Sequence, residues 1–250
     1  MKYVGSKNRL SKELAPIIQS FITKDTKGYL EPFVGGCNMI DKIRHHTRIG
    51  CDINKYLIAM LNKFKEGYEP PIFIDKEEYT EVKNNIENYE EYYVGLVGFC
   101  ATYNGGWMRR YGAIANTKIG KVRNYYQESV RNIQKQIPKL QNVRLVHKDF
   151  KEIENISGYV IYCDIPYKSS GWEMYEESFD YDFFYDWCKE LSKNNTVLIS
   201  EYDMPREFEC VWEKEHSTSF DNKNNKKKCI EKLFKINAKL ELHCNRGRDL

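Results

Sequence analysis

The sequence predicts an α/β protein: a doubly wound, mostly parallel sheet with a carboxy-terminal antiparallel hairpin and a mainly helical insertion. Three observations support this fold class. Short apolar runs alternate with amphipathic stretches of helical length, as they do where helices connect parallel strands. Two strand-like runs near the end of the chain flank a polar loop. The span from 55 to 142 is too long for a single crossover and predicts an insertion.

Each element is predicted from its own residue pattern. The apolar runs predict parallel strands at 29–30, 48–51, 143–146, 159–163 and 197–200. The amphipathic stretches predict helices at 10–22, 38–46, 125–136 and 181–193, and the insertion adds helices at 57–65, 75–86 and 90–101. The terminal hairpin is predicted from 209–213 and 229–236, across the loop 215–228. Residues 1–54 and 143–250 are therefore predicted to form one domain, which carries residues 55–142 as an inserted subdomain.

Composition excludes several classes of protein. A chain of 250 residues is long enough for one sizeable core, and its net charge of +3 only weakly favours a polyanionic partner. The eight cysteines are scattered singly and the five histidines form no ligand pattern, which predicts a reduced, cytosolic chain without a metal site. Since no apolar run approaches the ~18 residues of a membrane span, we expect neither secretion nor membrane insertion.

The tetrapeptide Asp164-Ile165-Pro166-Tyr167 ends a buried strand and is the first candidate site. The exocyclic nitrogen of adenine is a poor nucleophile because its lone pair is delocalised into the ring. The Asp164 carboxylate and the Ile165 carbonyl could accept its two N–H groups and so localise that lone pair. Pro166 restricts the backbone of Ile165, and Tyr167 could stack on the base. Taken alone, the tetrapeptide fits an ordinary capped strand end better than a catalytic site.

Three further segments favour a binding site. Gly35-Gly36 follow a short apolar strand and precede the helix predicted at 38–46, so that a ligand could approach the backbone beside a helix N-terminus. Asp52 ends the next strand, at about the distance from the glycines expected of a ribose-binding acid. Lys7 could hold a ligand carboxylate, although by itself it fits a frayed basic terminus.

In this order the segments resemble the class alpha amino-methyltransferases, the Dam-like DNA adenine methyltransferases, and most closely their phage-type members. The resemblance covers nearly the whole chain and implies the fold of S-adenosylmethionine-dependent methyltransferases. It implies that the four residues of the tetrapeptide are catalytic. It also implies a set of cofactor-binding residues: Tyr3, Lys7, Glu31, Phe33, Gly35, Gly36, Cys37, Asn38, Asp52, Asp149, Phe150 and Asp164.

Within that set, the resemblance implies that Asp149 hydrogen-bonds the cofactor's adenine and that Phe150 packs on it. The sequence departs from the family pattern at two positions. Ile165 replaces the usual first proline of the tetrapeptide, but isoleucine supplies the same main-chain carbonyl. Cys37 replaces a frequent third glycine, which could tighten or loosen the cofactor turn without removing it.

The Gly-rich, basic stretch 104–112 is the candidate DNA-reading segment, and the resemblance implies that the insertion around it is the target-recognition subdomain. An arginine fork matches the two acceptors on the major-groove edge of guanine, and aromatic rings can stack or wedge. A solvated hairpin whose arginines only maintain solubility is the alternative. A cluster of lysines in the loop 215–228 could contact phosphates or merely be solvated. The candidate DNA-binding residues are Asn104, Trp107, Arg109, Arg110, Tyr111, Lys226, Lys227 and Lys228.

The resemblance therefore implies an S-adenosylmethionine-dependent methyltransferase that acts on the exocyclic amino group of adenine in a short duplex DNA site, with base flipping and without a metal. A cytosine-amino methyltransferase, an RNA adenine methyltransferase and a catalytically silent DNA-binding relative are the alternatives. The expected partners are double-stranded DNA and, in a restriction-modification setting, a cognate restriction endonuclease. The expected location is the cytoplasm of a bacterial or phage-infected cell.

Overall fold

A computed structural model describes residues 1–116, 122–167, 179–217 and 228–236. The strands of these ranges are β1 Gly28–Glu31, β2 Arg48–Asp52, β3 Ile114–Asn116, β4 Val122–Asn124, β5 Val143–His147, β6 Tyr159–Asp164, β7 Thr196–Glu201, β8 Phe208–Ser217 and β9 Lys228–Ile236. The α-helices are α1 Ser11–Ser20, α2 Lys55–Lys65, α3 Lys76–Asn84, α4 Glu91–Cys100, α5 Tyr125–Leu140 and α6 Tyr181–Ser192. Short 3₁₀ turns lie at Lys7–Arg9, Ile86–Asn88, Tyr103–Gly105 and Phe150–Glu152.

Seven of these strands form one sheet, in the order β5-β2-β1-β6-β7-β9-β8. The pairs β2–β5, β1–β6 and β6–β7 are parallel, whereas β9 pairs antiparallel with both β7 and β8. The fold class predicted from the sequence is therefore confirmed, including the carboxy-terminal antiparallel hairpin. Both hairpin strands are longer than the apolar runs that predicted them, because their outer positions carry polar side chains.

The chain divides into two compact units. The first unit comprises residues 1–15 and 32–152, and the second comprises residues 16–31 and 153–250. Unit 1 contains β2–β5 and helices α2–α5, and unit 2 contains β1 and β6–β9 with α6. The prediction of a separate subdomain at 55–142 stays a prediction.

Four helices begin at residues whose side chains cap them. The side-chain oxygens of Asn54, Asp75, Asn124 and Asp180 each accept the main-chain N–H three residues later, at the start of α2, α3, α5 and α6. Inside unit 1, Gly95 of α4 lies against α2: a Cβ there would be 2.1 Å from the carbonyl oxygen of Tyr56. This close approach requires glycine, and it lets α2 and α4 pack tightly.

The helix predicted at 38–46 is wrong, because residues 38–42 form turns and residues 43–46 are irregular. Side chains occupy carbonyls that a helix would need: Lys42 Nζ donates to the carbonyl of Asn38 at 2.6 Å, and Arg48 Nη1 donates to that of Ile40 at 3.0 Å. These side-chain bonds compete with helical i→i−4 bonds. The helix N-terminus expected beside the glycines is therefore also wrong.

One small element was not expected. Strands β3 and β4 form an antiparallel pair directly before α5, with Ile114 opposite Asn124. Their apolar side chains Ile114 and Val122 are exposed. These strands are only three residues long and do not form the period-2 run that predicts a strand. In the part of the chain that the structure describes, no helix has both the length and the apolar character needed to cross a membrane.

Candidate active site

The tetrapeptide that begins at Asp164 lies where β6 ends in unit 2. Asp164 is the last residue of β6 and is in register with Ser200 of β7. Asp164 is half-buried, whereas Ile165 and Tyr167 are buried. The strand therefore carries a carboxylate from an apolar core to a partly accessible position.

Two tyrosine hydroxyls hold the tetrapeptide in place. Tyr181 of α6 donates its hydroxyl hydrogen to the Pro166 carbonyl at 2.9 Å. Tyr167 itself donates to the carboxylate of Glu231 in β9, and the Tyr202 ring meets the Tyr167 ring edge-on with centroids 4.6 Å apart. Burial raises the pKa of Tyr167 well above its ordinary value, with Asp164 and Glu231 adding to the effect. The phenol therefore stays protonated and acts as a donor.

A buried polar layer supports the ends of β1, β6 and β7 in unit 2. The hydroxyls of Tyr162 and Ser200 are 2.8 Å apart, so one donates to the other. Tyr29 donates its hydroxyl hydrogen to Glu31 Oε1 at 2.7 Å, and Glu31 is buried at the end of β1. Each buried polar group named here has a hydrogen-bond partner, which keeps the strand ends in a single arrangement.

The candidate ribose acid, Asp52, ends β2 in unit 1. Its Oδ2 accepts the N–H of Gly35 at 3.0 Å, and its Oδ1 accepts the N–H of Asn54 at 2.9 Å. Burial raises the pKa of Asp52, and the two main-chain bonds partly oppose that shift. The carboxylate is thus fixed against the glycine turn, where it can accept hydrogen bonds from a ligand.

The glycine turn adopts backbone conformations that favour glycine. Gly35 has φ +46° and Cys37 has φ +56°. Tyr3 packs directly on this turn, since a Cβ at Gly35 would lie 2.9 Å from its ring. Asn38 is buried and donates to Ser6 Oγ at 2.7 Å. A non-glycine residue in the left-handed region costs roughly 1 kcal/mol, so Cys37 keeps the turn but strains it.

Two aromatic rings provide an apolar surface in the same unit. The rings of Phe33 and Phe150 have centroids 5.2 Å apart and are tilted by 39°. Asp149, immediately before Phe150, is half-buried and accepts the N–H of Lys151 at 3.0 Å. Lys7 is buried within the first 3₁₀ turn. Unit 1 therefore carries apolar rings, a fixed carboxylate and a buried lysine among the residues predicted to bind the cofactor.

The candidate recognition segment presents Arg110 next to an aromatic ring. Arg110 is exposed, and its guanidinium lies 5.6 Å from the centroid of the Tyr103 ring. Tyr103 is 54% exposed, although it was absent from the predicted site. Asn104, also exposed, has φ +56° and turns the chain between them. A planar cation stacked on an exposed ring is suited to a base edge or a phosphate.

Other predicted DNA-binding residues pack within unit 1. The Trp107 ring packs against the rings of Tyr56 and Phe99, with centroids 5.1 and 5.0 Å away. Tyr111 donates its hydroxyl hydrogen to the Ile74 carbonyl at 2.9 Å. Arg109 is half-buried, and its carbonyl accepts the hydroxyl of Tyr79. These contacts anchor the segment that presents Arg110.

Some predicted residues lie outside the described ranges, and some functional candidates were missed. Lys226 and Lys227 fall outside the described residues, and Lys228 is described only as the first residue of β9. Glu231 could have been found, since it shares the inward-facing alternation of β9 with Leu233 and is therefore an acid at a core position. Within the described ranges, no group of three or more His, Cys, Asp or Glu side chains is arranged to hold a metal ion.

A mostly parallel sheet with acids at its strand ends and a glycine turn defines an α/β protein of the kind that binds nucleoside ligands. Residues 3–228 of the chain match the D12 class N6 adenine-specific DNA methyltransferase family, and the chain belongs to this family. It is therefore an enzyme that methylates the exocyclic amino group of adenine in DNA. No curated protein matches the chain.

The solved structures similar to the chain include two methyltransferases. One is a proposed RNA methyltransferase from Pyrococcus horikoshii, with a TM-score of 0.41, 9% sequence identity, and coverage of 94% of this chain and 86% of the other. The second, SMU.472, is a proposed methyltransferase in complex with SAH, with a TM-score of 0.36, 11% identity, and coverage of 92% and 52%.

Proposed function

We propose that Asp164 and the main-chain carbonyl of Ile165 bind and activate the target adenine amino group. A carboxylate and a carbonyl are both acceptors, and an exocyclic amine has two N–H donors to match them. Accepting both hydrogens opposes delocalisation of the nitrogen lone pair, and the acceptors' charge stabilises the positive charge that develops as the amine attacks. The hydrogen bond from Tyr181 to the Pro166 carbonyl supports this proposal, because it holds the backbone that carries the Ile165 acceptor.

The residues of unit 1 fit S-adenosylmethionine. Asp52 would accept hydrogen bonds from the ribose hydroxyls, and the Phe33 and Phe150 rings would pack on the adenine, beside Asp149. Lys7 and Tyr3 would lie toward the amino-acid tail, with Gly35, Gly36, Cys37 and Asn38 forming the turn beside it. Glu31 and Asp164 belong to unit 2, and their part in cofactor binding stays a prediction from the sequence. When bound, the cofactor supplies an electrophilic methyl group on a positively charged sulfur.

Base flipping forms part of the proposal. An adenine amino group inside a duplex is paired and stacked, so its lone pair cannot be directed at an electrophile. We propose that Tyr167 stacks on the extruded adenine. The tether to Glu231 supports this role, because it sets the plane of the ring in advance.

We further propose that Arg110 reads a base edge in duplex DNA and that Tyr103 supports it. Asn104, Trp107, Arg109 and Tyr111 would form and anchor the segment that carries Arg110. The lysines at 226–228 would contact phosphates. The recognition sequence and a cognate restriction endonuclease are not specified by any of these residues.

The test is methyl transfer from tritiated S-adenosylmethionine to duplex DNA, single-stranded DNA and RNA. Asp164→Asn and Asp164→Ala should each lower kcat by about 100-fold or more, since loss of a transition-state acceptor costs on the order of 3 kcal/mol. Affinity for S-adenosylhomocysteine should change much less. Asp186→Asn, at an exposed position of α6, is the matched control and should retain full activity. Near-normal turnover in both Asp164 variants would contradict the mechanism.

A further inference from the structure

Gln136 is a buried amide on the inner face of α5. It is 6% exposed, and its neighbours on that face are the apolar side chains Ile133, Ile137 and Leu140. A buried amide among apolar groups costs free energy unless it is hydrogen-bonded. The contacts of Gln136 therefore indicate what it does.

The amide nitrogen of Gln136 donates into the glycine turn, 100 residues earlier in the chain. Its Nε2 lies 3.1 Å from the carbonyl oxygen of Gly36 and 2.8 Å from that of Cys37. A third acceptor, Asp41 Oδ2, lies at 3.2 Å. The side-chain oxygen of Gln136 accepts from the nitrogen of Met1 at 2.6 Å. A single NH₂ group thus serves the turn and the segment that follows it.

The turn needs such a donor because it is not followed by a helix. In a helix beginning at residue 38, a main-chain N–H would satisfy the carbonyl of Cys37. Here residues 38–42 form turns, and Cys37 has φ +56°, an unfavourable conformation for a residue with a side chain. A conformation of this kind persists only where the surrounding structure holds it.

We propose that Gln136 is a positioning residue for S-adenosylmethionine: by fixing the carbonyls of Gly36 and Cys37, it holds the glycine turn in the form that binds the cofactor. This inference rests on the proposed function of the turn. It assigns a part of α5, within the region 55–142 that the sequence predicts to be an insertion, to cofactor binding.

Two variants separate the hydrogen bonds from the packing of the side chain. Gln136→Met keeps the length of the side chain and removes both its donor and its acceptor. Gln136→Glu keeps the size and the acceptor that faces Met1, and removes the donor. Gln134→Met and Gln134→Glu are matched controls, because Gln134 is exposed on the same helix two residues earlier.

The measurements are the KM for S-adenosylmethionine, kcat at saturating cofactor, and the dissociation constant of S-adenosylhomocysteine by calorimetry. Both Gln136 variants should raise the KM and the dissociation constant by about 10-fold to 100-fold, as expected for buried carbonyls that lose their donor. Their kcat at saturating cofactor and their KM for DNA should stay within about twofold of wild type, because the interaction is uniform binding of the cofactor.

Unchanged affinity for S-adenosylhomocysteine in both Gln136 variants would overturn this proposal alone. A lower kcat with unchanged KM would do so as well, because it would indicate a smaller folded fraction and thus a purely structural role. If Gln136→Met weakened binding but Gln136→Glu did not, the lost contact would be the acceptor and the proposal would be wrong. Failure of the wild-type enzyme to bind S-adenosylhomocysteine would instead overturn the cofactor assignment, and this inference with it.

Discussion

At the scale of single residues, Asp52 shows how a fold prepares a carboxylate for a ligand. Two main-chain N–H groups hold its oxygens at 2.9 and 3.0 Å, and burial raises its pKa above the ordinary 3.8. Carboxylate oxygens have about four acceptor sites, so these two bonds leave capacity for a ribose. Burial strengthens the remaining bonds, since water competes less for them.

Asp52→Asn should weaken binding of S-adenosylhomocysteine by about 1–3 kcal/mol through the loss of a charge-assisted hydrogen bond. A carboxylate with a raised pKa takes up its proton at a higher pH than usual. As the pH is lowered, the affinity of the wild type for S-adenosylhomocysteine should therefore begin to fall while the pH is still above 3.8. The affinity of Asp52→Asn should not show this fall. Calorimetric titrations of both proteins across acidic pH would measure this difference. If the wild type and Asp52→Asn bound S-adenosylhomocysteine with equal affinity at neutral pH, Asp52 would have a structural role only.

At the scale of elements, the segment Tyr103–Tyr111 is a rigid loop with one exposed cation. Tyr103 N donates to the carbonyl of Arg110 at 2.9 Å, and Thr102 and Tyr111 form a β-bridge. Trp107 packs against two other rings, which anchors the middle of the loop. Arg110 is therefore presented from a fixed backbone, as a residue that reads a base edge would need to be.

Arg110→Ala should lower the methylation rate on the preferred DNA site by a factor that corresponds to about 1–3 kcal/mol. The rate on unrelated DNA should fall much less, because a bidentate contact to guanine discriminates between bases. Arg110→Lys should restore little, since an ammonium has no planar fork. The measurement is the methylation rate on duplexes varied one base pair at a time. Arg131→Ala, at an exposed position of α5, is the control. A uniform loss across all duplexes would make Arg110 a phosphate contact.

The carboxy-terminal hairpin is a second element with a specific role, because β9 supplies Glu231 to the tetrapeptide. Glu231 is 2% exposed and accepts the hydroxyl of Tyr167. A buried carboxylate is costly unless it is hydrogen-bonded. Its position in β9 is therefore explained by the tyrosine that it orients.

Glu231→Leu should lower kcat/KM for DNA by a factor that corresponds to about 1–3 kcal/mol of transition-state free energy, because the Tyr167 hydroxyl loses its acceptor. Glu231→Gln keeps an acceptor and should lose less. Tyr167→Phe combined with Glu231→Leu should be no worse than Glu231→Leu alone, since both changes break the same bond. Glu209→Leu on β8 is the exposed control, and urea unfolding of each variant separates activity from stability. Additive losses in the double variant would contradict the coupling.

At the scale of the whole molecule, the small net charge conceals a strong asymmetry. Residues 66–91 contain nine acidic and two basic side chains, whereas the chain as a whole has a net charge of +3. The rest of the chain therefore carries a larger positive excess than the total suggests. An acidic segment repels DNA, so we expect residues 66–91 to make no phosphate contacts.

Changing Lys226 and Lys227 together to glutamine should weaken binding to all duplexes equally. The salt dependence of log K should decrease in slope by about 2, since each lysine that contacts a phosphate releases roughly one counterion. The matched control changes Lys76 and Lys83 of the acidic segment to glutamine, which alters the net charge equally. Fluorescence anisotropy in a salt titration gives both slopes. Equal slopes for the two double variants would show that only net charge matters.

Much of this protein is determined by local sequence patterns. The apolar runs placed each sheet strand to within a few residues, because a buried strand needs consecutive apolar side chains whatever its neighbours are. Side-chain caps such as Asn54 and Asp180 fixed the starts of helices for the same local reason. The tetrapeptide at Asp164 and the acid Asp52 followed from their positions at strand ends.

Other features were decided only by the tertiary structure, because they depend on contacts between residues that are distant in sequence. Residues 38–42 form turns instead of the predicted helix, and Gln136 of α5 donates to Asp41 among them across 95 residues of sequence. Glu231 meets Tyr167 across 64 residues of sequence, and Gln136 meets Gly36 across 100. A local pattern reports the burial and periodicity of its own segment. It cannot report which distant side chain will complete a turn's hydrogen bonds, because that partner is chosen by the packing of whole elements.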